Sequence, residues 1–168
     1  IPFESYEDLL MSRLIRFNEF KEDRMLVYPT LTPQNYRDAV TGKKVSVNRI
    51  QRIFLNSDGS KHTKGKKHLG SENSESCGFV IPPLNGNLES TNVQVFEGLE
   101  DSLSIRDRFE DHWFLVATDK DGLKKVTEFF GESGFTSARI IADHDVNDIP
   151  QNTGQAAAWR LGEKLRAQ

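Results

Sequence analysis

The chain has 168 residues, 36% hydrophobic and 28% charged, with mean hydropathy −0.56. That is enough for one ordinary domain, or one domain plus a small appendage, with a real core. No apolar run reaches the ~18 residues a membrane helix needs, and the opening IPFESYEDLLM lacks the basic-then-apolar pattern of a secretory signal. The lone Cys77 excludes an internal disulfide or a zinc ribbon, so a cytoplasmic protein with no membrane partner is expected.

The net charge of −3 is unevenly spread. Between Lys43 and His68 stand Lys43, Lys44, Arg49, Arg52, Lys61, Lys64, Lys66 and Lys67 against Asp58 alone. A basic segment joined to an acidic remainder suggests a polyanion on one side and a metal on the other. The first residue is Ile1, not Met, which reads as a piece of something longer.

In chain order, residues 1–20 are expected to be helical, with Ser5 and Asp8 as a capping box and Leu9, Leu10, Leu14, Ile15 and Phe17 as apolar positions. Residues 24–88 read as strands and loops. MLVYPTL and VSVNRIQRIFL are strand-like, the latter between the turns TGKK and NSDGS. KHTKGKKHLGSENSESCG has no periodicity and reads as a mobile loop. FVIPPLNG, with two prolines, suits a sheet edge or a linker.

Residues 93–168 alternate. VQVFE, WFLVA and ARIIA are short apolar strands. LEDSLSIRDRF, DGLKKVTEFF and GQAAAWRLGEKLRA are helices, with Leu123, Val126 and Phe130, then Ala158, Leu161 and Leu165, as their apolar stripes. Three strand–helix units in a row imply an α/β fold, a parallel sheet flanked by helices with right-handed crossovers. The expected division is residues 1–88, an N-terminal helix with a small basic α+β subdomain, and residues 89–168, an α/β domain.

Two of these strands end in acid. VQVFE stops at Glu97 before Gly98, and ARIIA runs into Asp143, His144 and Asp145. Ligands of open α/β sheets sit outside the carboxyl ends of the strands. Residues at i and i+2 of a strand point the same way, so Asp143 and Asp145 can face one ion or two neighbouring ones. Oxygen donors without histidine or cysteine suit Mg²⁺ (or Mn²⁺) rather than Zn²⁺. Two such ions can clamp the attacking and leaving oxygens of a phosphoryl transfer. An isolated D-x-D is as a rule a solvated turn; its conjunction with a strand-end E-G two crossovers earlier is the sharper signal. Gly98 is read as permitting a tight strand-to-helix turn.

The segments VFEGLEDSLSI, WFLVA, ARIIADHD and GQAAAWRL resemble the Toprim domain of primases, type IA and type II topoisomerases and some nucleases. Within it they are most similar to phage and plasmid primase and primase–helicase proteins, over roughly residues 40–168. The resemblance implies a metal-dependent nucleotidyltransferase, a DNA primase core that makes primers on a DNA template from nucleoside triphosphates. Glu97 would be a metal ligand or general acid/base. Asp143 and Asp145 would be metal ligands, and Asp101 an accessory position. The Lys and Arg residues of 43–67 would hold template or triphosphate. A replicative helicase or further domains of the parent chain are the implied partners. A further acid is expected on a strand beyond Gln168; within this chain Asp148 is a candidate substitute, set against the plainer reading of an exposed loop aspartate. Another Toprim enzyme, nuclease-like or topoisomerase-like, and a non-catalytic nucleic-acid-binding Toprim module remain open. Against a topoisomerase, all three tyrosines precede the Toprim-like part.

Overall fold

The computed structural model describes residues 7–20, 23–70, 78–118, 120–142 and 153–167. The first sheet contains β1 (Arg16–Phe20), β2 (Asp23–Thr30), β3 (Arg49–Leu55) and β4 (Lys61–Gly70), in that spatial order and antiparallel throughout. The short helices α1 (Glu7–Met11) and α2 (Tyr36–Val40) precede β1 and follow β2.

The second sheet is mixed, with order β5-β7-β6-β8. β6 (Asn92–Phe96), β7 (Trp113–Val116) and β8 (Ser137–Ile141) are parallel, as expected. β5 (Phe79–Ile81) pairs antiparallel with β7 at one edge. The proline-bearing FVIPPLNG is thus a sheet edge, where a missing N–H is tolerated. This sheet therefore draws one strand from the chain before residue 88. The helices α3 (Leu99–Ser104), α4 (Lys120–Ser133) and α5 (Thr153–Arg166) follow β6, β7 and β8, and a 3-10 turn at Arg106–Arg108 follows α3.

The second sheet is covered on both faces, which is why its strands are apolar runs rather than alternations. Val93, Val95, Trp113 and Leu115 pack with Leu123, Val126 and Phe129 of α4 and Leu161 of α5. On that face Tyr36, Trp113, Phe129 and Phe135 form one aromatic cluster with ring centroids 5.2–6.2 Å apart. Such pairs are worth about 1 kcal/mol each beyond area burial. The opposite face packs Phe96, Phe114 and Val116 against Leu99 and Leu103 of α3, and against Tyr28 and Ile53 of the first sheet. The two sheets therefore share a core.

Three expectations are corrected. Residues 1–20 are not one helix: α1 stops at Met11, and β1 follows a turn in which Arg13 has φ 63. That backbone ends a right-handed helix, and five paired positions with β2 outweigh a weak local helix signal. Ser5 of the supposed capping box lies outside the described residues. Second, the basic loop is a strand through Gly70. Its apolar alternation is missing because it is a largely exposed edge, held by backbone bonds that do not depend on side-chain type, and edge lysines oppose pairing with other chains. The remainder of that loop, 71–77, lies outside the described residues. Third, the buried stripe of α4 is Leu123, Val126 and Phe129, with Phe130 half-buried beside it, and α5 turns Ala157, Leu161 and Leu165 to the core.

Arg106 is wholly buried and forks two bonds onto Asp8 of α1, at 2.6 and 2.8 Å, with a third donated to the Pro82 carbonyl at 2.9 Å. Arg106→Ala should cost about 3–5 kcal/mol in urea unfolding. Arg106→Lys should recover little of it, because an ammonium cannot reproduce the fork.

Tyr36 donates its phenol proton to the Ser133 carbonyl at 2.9 Å, and burial pushes its pKa above the ordinary 10.0. The folded chain then holds that proton more tightly than the unfolded chain. Its contribution is fully present below pH 10 and is lost as pH rises through the folded value. Tyr36→Phe should remove this part of the alkaline stability loss while costing about 1 kcal/mol at neutral pH. Chemical unfolding across pH 8–12 checks both.

Candidate functional site

The carboxyl ends of β6, β7 and β8 lie at one edge of the second sheet, because the three strands are parallel and in register. Phe96 stands opposite Val116 on one side and Ile141 on the other. After β6 the chain leaves toward the face covered by α3. After β7 it leaves toward the face covered by α4, and α5 packs on that same face. In open α/β sheets, the strand ends from which neighbouring connections go to opposite faces are where ligands are taken. Glu97, the residue after β6, sits half-buried at this point.

Gly98 links Glu97 to α3 with φ −111 and ψ 148, a backbone any residue adopts. No special turn demands this glycine, and what a Cβ would meet is the movable ends of side chains. A Cβ there would come within 2.8 Å of the Asp101 carboxylate, 3.6 Å of the Glu100 carboxylate and 3.8 Å of the Lys66 ammonium. Lys66 reaches over from β4 and pairs with Glu100 at 3.2 Å. The acidic turn and the basic strand thus meet here. Glu100, which follows Gly98 by two, carries this contact; reasoning from sequence singled out Asp101 and passed over Glu100. The signal for it would have been a second strand bringing a cation to the turn, which linear spacing does not contain.

The end of β7 is tightly built. Ala117 donates its N–H to the Phe96 carbonyl at 2.7 Å, and Thr118 has φ 68, a strained value for a β-branched residue. A Cβ on Gly122 would stand 1.7 Å from the Ala117 carbonyl oxygen, so α4 can begin against this strand end only with glycine. β8 ends at Ile141, and Ala142 follows. Asp143, Asp145 and Asp148 lie outside the described residues. Among the described residues no group of three or more His, Cys, Asp or Glu forms that could hold a metal. The acids near the Gly98 turn are Glu97, Glu100 and Asp101.

The basic residues divide. Lys43 and Lys44 are exposed in the segment before β3, and Lys43 pairs with Asp38 at 2.7 Å. Arg49 and Arg52 are on β3; Lys61, Lys64, Lys66 and Lys67 are on β4. Arg52 and Lys64 lie over the Phe54 ring at 5.7 and 5.6 Å. Lys64 pairs with Asp23, and chiefly this hydrogen bond holds the Asp23 carboxyl below its ordinary range. Of the eight, only Lys66 is placed by these contacts at the Gly98 turn.

Gly122→Ala should cost more than about 3 kcal/mol, since backbone blocks the added methyl on the Ala117 side. Gly98→Ala meets the end of a flexible side chain and should cost under about 1 kcal/mol. Urea unfolding of the two variants should rank them in this order; the reverse order would refute the crowding account.

No family model matches the chain, and no curated protein matches it in sequence. Among solved structures, the crystal structure of the primase fragment of the bacteriophage T7 primase-helicase protein is similar, with TM-score 0.56 and 13% identity. The likeness covers 98% of this chain and 57% of that one, so this chain spans little more than half of that fragment. No described helix is long and apolar enough to cross a membrane. Among the described residues, two sheets and five helices are thus arranged in a primase-like α/β fold.

Proposed function

We propose that this chain is the catalytic part of a Toprim-type DNA primase, joining nucleotides on a DNA template. The observation that carries the reading is the position of Glu97 at the carboxyl end of the central strand, beside β8, whose chain continues into Asp143 and Asp145. The likeness in fold to a phage primase fragment supports it.

In this reading Glu97, Asp143 and Asp145 hold Mg²⁺ or Mn²⁺. The bound ions would supply charge stabilisation to a phosphoryl transfer and lower the pKa of the attacking hydroxyl. The chain's own part is positioning and charge. Lys66, already at the Gly98 turn, offers an ammonium to a triphosphate and can exchange Glu100 for it. Thr118 and Gly122 set the close approach of α4 to the end of the neighbouring strand β7. Asp101 and Asp148 are accessory acids of this proposal, and a helicase or further domains would supply template recognition.

The test is incubation with single-stranded DNA, labelled nucleoside triphosphates and Mg²⁺ or Mn²⁺. Short primers are expected, and Glu97→Gln or Asp143→Asn should lower their yield by about a hundredfold or more. DNA cutting in place of synthesis would move the reading to a nuclease-like Toprim enzyme. Binding without either would make it a non-catalytic module.

A further inference from the structure

The helical layer on the second sheet leaves a groove open along α5. At about 100° per residue, Leu161, Ala157, Lys164, Arg160, Glu163 and Trp159 follow one another round one flank of that helix. The flank runs from the stripe that meets the sheet to the side that faces away from it. Together with Leu123 of α4 it lines a cleft of about 470 Å³. The buried Leu123 and Leu161, with Ala157 between, make an apolar floor. Trp159 stands on the outer lip and is 70% exposed, whereas the chain's other tryptophan, Trp113, is wholly buried.

The charge along this groove is one-sided. The carboxylate that lines it, Glu163, is engaged by Arg166 at 2.9 Å. Arg160 and Lys164, one helical turn apart on the groove wall, make no ion pair among the described residues. A single exposed indole signals nothing by itself. Here it adjoins an apolar cleft and two unanswered cations. Water solvates those cations at little cost, so their role is to select, by sign, among the apolar groups that can enter.

We propose that the α4–α5 groove docks an acidic amphipathic helix of a partner protein. Apolar side chains of the partner, spaced i, i+3 and i+4, enter the cleft and pack on the Trp159 ring. Two carboxylates one turn apart on the same helix meet Arg160 and Lys164, whose own spacing is one turn. The floor favours a peptide over nucleic acid: it is aliphatic throughout, with no donor or acceptor for a base edge. The cations also stop at the Glu163–Arg166 pair instead of running on as a track for successive phosphates. A second copy of this chain fits less well. Among the described residues, the large exposed apolar side chain on a helix other than α5 is Met11 of α1, and the Asp8 beside it is already held by Arg106. The proposal stands on α4 and α5 and does not depend on the primase reading.

The test titrates the 168-residue chain with a synthetic peptide long enough to be helical, about 18 residues, made of Leu at i, i+3, i+4 and i+7 with Ala and Glu between. The peptide carries no aromatic residue and Trp113 is buried, so Trp159 reports occupancy. Its emission should move to shorter wavelength and saturate. Reversing both cations, Arg160→Glu with Lys164→Glu, should weaken binding about tenfold or more. The same variant should gain affinity for the peptide rewritten with Lys in place of Glu. Trp159→Ala, followed by anisotropy of a labelled peptide, should also lose about tenfold or more. All three positions are exposed, and circular dichroism melts check that each variant is folded. The absence of a saturable shift overturns the proposal, as does equal binding of the Glu and Lys peptides by the unaltered chain. An oligo(dT) that displaces the peptide would mark a nucleic-acid site instead. Self-association in sedimentation that Trp159→Ala abolishes would mark a contact between copies, and would overturn the proposal equally.

Discussion

Everything at the candidate edge hangs on the parallel register of β6 between β7 and β8. Phe96 is the hinge of that register, opposite Val116 and Ile141 at once. Its carbonyl accepts the Ala117 N–H, and the next residue is Glu97. Because side chains alternate with period two, a slip of one residue would turn Val93 and Val95 from the α4–α5 face and place Gln94 and Phe96 there instead. The register is thus secured by burial on both faces, and the position of Glu97 follows from it. The charged residue Glu97 stands at the strand end, where the ladder stops and backbone is free to diverge.

The first sheet joins this scheme through its inner face. Tyr28 and Ile53 complete the core beneath Phe96 and Phe114, and Lys66 extends that face to the Gly98 turn. Its outer face has no such partner among the described residues and stays basic and partly apolar. The alternation of a strand sorts one run of lysines and arginines into two populations, one aimed at the acidic turn and one aimed away. Arg106 does comparable work at the other end: buried with its charge answered by Asp8, it ties α1 to the segment after α3.

Much of the second sheet was legible in sequence because its strands and helices are short, strongly patterned and punctuated by glycine. The apolar runs VQVF, WFLV and ARII are the observed β6, β7 and β8 with small shifts of boundary. The first sheet was harder. β4 reads as a loop because an exposed, lysine-bearing edge has no apolar alternation, and its partner β3 supplies the order through backbone bonds. β1 was hidden inside an apolar run that suits a helix as well, until the Arg13 turn divides it. At the candidate site, Glu97 was found because a strand end is a sequence feature. Glu100 was missed because its significance comes from Lys66, a residue far off in the chain and close only after folding. Asp143 and Asp145 rest on sequence, since they lie outside the described residues.

The strand order has a consequence for how the chain reaches this state. The first sheet is a meander, each strand pairing with the one before it, so its contacts are sequential, over two tight turns and one longer connection that carries α2. β6 instead gains one neighbour soon after it is made, and the other only when β8 has been added, after α3, β7 and α4. Until then its backbone has an open side. During synthesis from the N-terminus the meander can assemble early, while the strand that carries Glu97 waits for almost the whole chain. The slow, aggregation-exposed step of folding is therefore expected at the completion of the parallel sheet. Conditions that stall the chain before β8 would leave an apolar strand paired on one side only, rather than an inactive but folded protein.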